Sequence, residues 1–129
     1  MPGTEWPAHF PAGCPAGENP DPVNGAVFHL LRRQRSQDYK TAFERNAFPD
    51  GPPCRRVAFS CYVNLQAAQH HLDIQPTLFR AIARADLTPA HGAIKHTPTS
   101  QFREHHSLWL RARYDARDLF TEVRIGGEA

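Results

Sequence analysis

Residues 79–109 read as strand, turn, strand, open loop, strand, and this run commits the chain to a fold built on antiparallel pairing. Thr88-Pro89-Ala90-His91-Gly92 has the composition of a five-residue turn, and residues 93–97 read as its returning strand, closing a hairpin. The segment before the turn, residues 77–87, admits two readings. As a strand it places Phe79, Ala81, Ala83, Ala85 and Leu87 on one face and Arg80, Ile82, Arg84 and Asp86 on the other. As a helix it has Pro76 in the first turn and three central alanines. The strand reading is adopted because it suits the turn and return that follow.

The same periodicity organises the rest. Residues 26–32 form a compact apolar run with His29 inside it. Ser36 is placed to cap a helix over residues 37–46, with Tyr39 and Phe43 facing inward. Residues 56–63 alternate as a strand, with Val57, Phe59, Cys61 and Val63 on one face and Ser60 and Tyr62 on the other. Asn64 caps a helix over residues 65–72, and Asp115 caps a short turn running to about Phe120. Residues 105–114 are the last long strand. His105, Ser107, Trp109, Arg111 and Arg113 share its outer face, while Leu108 and Leu110 take the core side. Residues 123–125 close an edge. The sum is an α+β domain with an antiparallel-rich sheet of five or six strands and two or three short helices.

Residues 1–25 stand apart. They hold six of the twelve prolines, no Leu or Ile, and only Trp6 and Phe10 as large aromatics. A segment so poor in apolar surface does not offset its own ordering entropy. It reads as an extended or disordered arm, or as an arm whose Trp6 and Phe10 dock on the domain or on a partner. Residues 26–125 are then the domain and residues 126–129 a tail. The arm carries Glu5, Glu18 and Asp21 and no Lys or Arg, a charge of −3; the remainder holds all 15 basic residues against ten acids, a charge of +5. That balance is mild for a nucleic-acid binder. The three cysteines form no CxxC, the first residues lack a basic and apolar leader, and no apolar run is long enough to span a membrane. These features predict free thiols in a cytoplasmic setting.

Motifs that would fix a reaction are missing. HExxH, HxH, GxSxG, GxGxxG and GxxxxGK[ST] do not occur, so no metal site and no cofactor are assigned. Adjacent His105 and His106 point to opposite faces of a strand and cannot share one ion. What remains is Arg80, Arg84, Arg111 and Arg113 on two strands, flanked by His105 and Trp109. On adjoining faces they would form a basic strip for a phosphate, a nucleic-acid backbone or an acidic protein.

The runs VFHLL, AFSCYV leading into a helix, FRAIARADLTPAHGAIKHT and HHSLW resemble a group of small, functionally uncharacterised bacterial α+β proteins, over about residues 27–123. The order of a strand bearing His29 and then one bearing Ser60 is also similar to the ADP-ribosyltransferase-like fold. That resemblance implies NAD as cofactor, with His29, Ser60 and Tyr62 in the first two catalytic positions and an acid in the third. Glu104 lies in a loop and Glu122 near the end. Many such enzymes begin the first strand with arginine, and Leu30 stands there here. Three functions are therefore expected, in this order: a binding module acting on a protein partner through the Arg/His/Trp face and the aromatic arm; a nucleotide-handling enzyme using His29 and Ser60; and a nucleic-acid binder.

Overall fold

The computed structural model describes residues 5–123. In chain order the strands are β1 (Asp21–Pro22), β2 (Gly25–Arg32), β3 (Phe59–Cys61), β4 (Phe79–Leu87), β5 (Gly92–His96), β6 (His106–Leu110) and β7 (Thr121–Val123). The helices are α1 (Pro53–Arg56), α2 (Leu65–Ile74) and α3 (Ala116–Leu119). Among the described residues the strands make two antiparallel sheets, one ordered β1-β5-β6-β3 and the other β2-β4-β7. The α+β class expected from sequence holds, with more strands than were counted there. An antiparallel bridge between Phe28 and Tyr62 joins the two sheets.

Alternation along the strands produces the layers. Val27 and Leu31 of β2 and Ala83, Ala85 and Leu87 of β4 face Cys61, Leu108 and Leu110 of the other sheet, and Phe120 closes that cluster. The short alanine side chains let the two sheets approach closely. Phe28, Leu30 and Ile82 point the other way and pack under Ala67 and Ala68 of α2. Phe79 joins this second cluster, not the alanine face predicted for it, because the β2–β4 register shifts between Leu31 and Arg32. Helix α2 starts at Asn64, whose side chain accepts from the Ala67 amide at 2.7 Å, and runs two residues past its expected end.

Several local expectations are corrected. Residues 79–96 are not a hairpin. β4 pairs with β2 and β7, whereas β5 pairs with β6 and β1, so the 88–91 turn carries the chain from one sheet to the other. Gly92 makes that landing feasible: a Cβ there would lie 2.0 Å from the Trp109 carbonyl oxygen. The helix expected over residues 37–46 is a 3-10 turn (Arg35–Gln37) followed by irregular chain. Asp38 is drawn away to the β2 backbone and to Arg80, and Thr41 and Glu44 bond to one another. Such side-chain bonds compete with a helix. The strand expected from residue 56 begins at Phe59, because Pro53 opens α1 at its first position. The last long strand ends at Leu110, not residue 114. Of the expected 123–125 edge, Val123 belongs to β7, while residues 124 and 125, like the tail at 126–129, lie outside the described residues.

Cysteines are the other correction. Cys14 and Cys54 form a disulfide across a Cα–Cα distance of 5.6 Å, so Cys61 alone carries a free thiol. Their distance in sequence hid the pairing; the return of residues 5–20 over the outer face of the β1–β5–β6–β3 sheet creates it. There Trp6, Phe10, Cys14 and Cys54 pack on Val57, Ala58 and Trp109, whose indole donates to the Cys54 carbonyl at 2.8 Å. The Glu5 carbonyl accepts from the Ala112 amide, and the Glu18 carboxylate pairs with Arg55. Trp109 is 0% exposed as a result.

Deleting residues 1–20 should uncover Trp109 and cost more than the about 2–3 kcal/mol of one large side chain's burial, because the Cys14–Cys54 disulfide is lost with them. With Trp6 removed, Trp109 is the remaining tryptophan. Its emission should shift to the red relative to a Trp6→Phe full-length control; an unshifted spectrum would show that the arm does not cover it.

Candidate functional site

His29, Ser60, Tyr62 and His105, all singled out from sequence, converge on one cavity of about 510 Å³ at the seam between the sheets. The bridge at Phe28 and Tyr62 sets this up. His29 follows Phe28 and projects to the opposite side, and Ser60 stands two residues before Tyr62.

The histidines are held in defined roles. His29 is 8% exposed, with Nδ1 at 2.9 Å from the Ser60 carbonyl oxygen and Nε2 at 2.6 Å from that of Asp38. A neutral imidazole has one N–H, so both bonds together require the charged ring. Burial opposes that charge and holds the His29 pKa below its ordinary value. Neither nitrogen is free to engage a substrate without first releasing a carbonyl. His71, on α2, donates from Nε2 to Gln75 Oε1 at 2.8 Å, which leaves Nδ1 to accept the Tyr62 hydroxyl at 2.7 Å. Its ring stacks on Phe102 with centroids 3.7 Å apart. His105 Nδ1 lies 3.0 Å from the Thr97 carbonyl oxygen, leaving Nε2 as the ring's acceptor. Burial lowers the pKa of both His71 and His105 and raises that of Tyr62.

Sequence reasoning missed the charge of this cavity. Arg32, Lys40, Arg45, Arg55 and Arg56 line it, and among the described residues its lining includes no Asp or Glu. Aromatic walls come from Phe59, Phe79 and Phe102. Phe48 stands on the rim, 70% exposed and at φ 51°, a left-handed conformation unfavourable for a bulky residue. The signals that could have been read were the paired arginines at 32–33 and 55–56 and an isolated phenylalanine in the polar loop at 102. None of them carries a period or a motif.

The strip of arginines predicted beside Trp109 does not assemble. Arg80 and Arg84 lie on one sheet, while Arg111 and Arg113 follow the last strand of the other. Arg80 is committed to Asp38 at 2.5 Å and to Glu122 at 3.1 Å, and Arg84 to Asp86 at 2.9 Å. Arg111 sits over the Trp6 ring and Arg113 over the Tyr114 ring. Trp109 is interior, so it offers no outer face. Arg111 and Arg113 line a larger cleft of about 690 Å³ beside the arm, where Asp38, Glu44 and Asp115 offset the basic residues. Cys61 is wholly buried and its thiol pKa is pushed up by that burial, which removes it as a nucleophile. Among the described residues no group of three or more His, Cys, Asp or Glu is placed to hold a metal ion, and no helix is long and apolar enough to cross a membrane. Comparison with protein-family models, curated proteins and solved structures found no match to this chain.

The buried histidines predict a direction of pH dependence. His29 and His71 titrate lower in the folded chain than in the unfolded one, so between the two values the unfolded state binds more protons. Their contribution is complete above pH ~6.5 and is lost as pH falls through the folded values, by about 1.4 kcal/mol per unit of depression per group. Denaturant unfolding should give a lower free energy at pH 5 than at pH 7.5, and His71→Gln should flatten that slope. Equal stability at the two pH values would contradict the assignment.

Proposed function

We propose that this chain is a small binding protein whose ligand is a nucleotide, held in the cavity between the sheets. One observation carries the reading: a cavity of about 510 Å³ that joins aromatic walls to five Arg and Lys residues, of which Arg55 pairs with Glu18, with no carboxylate among the described residues of its lining. A lining of that kind suits a ligand combining a flat ring with negative charge, because rings stack on aromatic faces and arginine suits phosphate. Phe48 adds a second point of support. An exposed aromatic ring held in a costly backbone conformation at a cavity rim is better explained by ligand contact than by stability.

The likeness to ADP-ribosyltransferases points at the same cavity, since His29, Ser60 and Tyr62 meet there, and NAD is the nucleotide it would add. ADP-ribosyl transfer would also call on a carboxylate beside the ribose and on a free histidine nitrogen. The lining supplies cations, and both nitrogens of His29 face carbonyl oxygens, so binding is the reading put forward. A protein partner on the Trp109 face has less support, because the arm occupies that face. Cytoplasmic residence likewise loses the argument from free thiols, since Cys14 and Cys54 are joined.

Thermal unfolding of the full chain against AMP, ADP, ATP and NAD tests the proposal. A true ligand at a hundred times its Kd should add about 2.7 kcal/mol of stability. Phe48→Ala should weaken binding by about tenfold while changing the stability of the free protein by less than ~0.5 kcal/mol, because the ring is exposed. The proposal fails if no nucleotide stabilises the protein.

A further inference from the structure

Behind Arg32 and Arg45 lies a second cavity, of about 480 Å³, which shares those two residues and Leu78 with the seam cavity. Its other lining is Arg33, Gln34, Gln37 and Thr77. Three arginines thus line a space that has no carboxylate among the described residues of its lining. Among the described residues neither Arg32 nor Arg45 has an acidic partner within ion-pair distance. The Arg32 guanidinium rests on the Phe79 ring at 4.9 Å, and its pKa is lowered by burial and then by the neighbouring Arg45 charge. Arg45 Nε is buried without a hydrogen-bond partner, and burial lowers the pKa of that side chain as well. Arg33 is steadied by a bond from Nε to the Pro76 carbonyl at 2.5 Å, which leaves its terminal nitrogens available.

Like charges gathered in a partly buried space repel one another and forgo hydration. Asp38 favours the Arg32 charge through space but forms no ion pair with it. Its carboxylate is taken by the Arg32 backbone amide and by Arg80. An anion with several acceptor oxygens would satisfy the unpaired Arg45 Nε and draw on all three guanidiniums at once. The amides of Gln34 and Gln37 and the Thr77 hydroxyl would donate to such an anion without adding charge.

We propose that this second cavity is a phosphoryl subsite, so that the ligand is a phosphorylated nucleoside with its ring in the seam cavity and its phosphate beyond Arg32 and Arg45. The assignment rests on the nucleotide reading above for the ring, while the phosphoryl subsite can be tested separately. Arg32 and Arg45 form the wall between the two spaces and contact both parts of the ligand. Selection then falls on the phosphorylated form over the free nucleoside.

Calorimetric titration of the full chain with adenosine, AMP, ADP and inorganic pyrophosphate separates the two claims. Affinity should rise from adenosine to ADP. Arg33→Gln, which lies outside the seam cavity, should remove that rise, by about 10- to 100-fold for ADP, while leaving adenosine within about twofold; Arg45→Gln, which lines both cavities, should weaken ADP at least as much and adenosine to a smaller extent. Arg33 is exposed, so its variant keeps the test valid if Arg45→Gln is destabilised. ADP binding no tighter than adenosine, or unchanged in both variants, overturns the subsite and leaves the ring cavity standing. Pyrophosphate binding that is lost in Arg45→Gln, with no binding of adenosine or its nucleotides, supports the subsite and overturns the nucleotide reading. No binding of any of the four overturns both.

Discussion

Two backbone hydrogen bonds between Phe28 and Tyr62, each 2.8 Å, splice the two sheets together. The candidate site depends on this splice. It fixes where β2 passes the end of β3, and strand alternation then turns His29 toward the Ser60 carbonyl. Tyr62 leaves the splice for Asn64, which starts α2, and that helix returns His71 to the Tyr62 hydroxyl nine residues later. Each bond has a modest net value, about 1 kcal/mol, but a buried amide or carbonyl left without its partner costs more than that. Local errors in this region are therefore expensive, and the groups lining the seam are held in one arrangement.

Asp38 plays a second organising role. Its carbonyl receives His29, one carboxylate oxygen receives the Arg32 amide, and the other receives Arg80. The Asp38–Arg80 pair is largely buried, with side chains 11% and 15% exposed. Removing one member of such a pair leaves an uncompensated charge, at a cost of about 3–5 kcal/mol. This commitment also shapes the charge of the cavities. It commits the Asp38 carboxylate to Arg80 and to the Arg32 amide and ties the chain at residue 38 to the end of β2. Arg32 and Arg45 are left facing the cavities without a carboxylate.

Local signals were read well where the chemistry is local. Asn64 and Asp115 were recognisable as caps because a short acceptor side chain bonds to an amide two or three residues on. Residues 79–87 admitted a helix as well as a strand, and β4 forms because its alanine face packs closely against the other sheet. The residues around 36–46 misled for the opposite reason. Their helical pattern was outweighed by bonds from Asp38 to Arg32 on β2, six residues away, and to Arg80 on β4, 42 residues away. The candidate site was half legible. His29, Ser60, Tyr62 and His105 stood out as polar groups in apolar runs, while Arg32, Arg45 and Phe48 looked like ordinary surface residues of a loop.

Period, side-chain shape and capping bonds act within a few residues, so the sequence alone set the main strands, the Asn64 and Asp115 caps and most strand faces. It did not determine what covers a face or which strands become neighbours. The β4 and β5 segments could have paired as a hairpin, yet they enter different sheets, with Gly92 admitted only by close approach to the Trp109 backbone. Trp109 was placed on the correct face of β6, and the returning arm made that face interior. The gathering of arginines around two cavities was decided the same way. Pairing, covering and charge convergence are set by contacts between distant segments, and only the folded path of the chain specifies them.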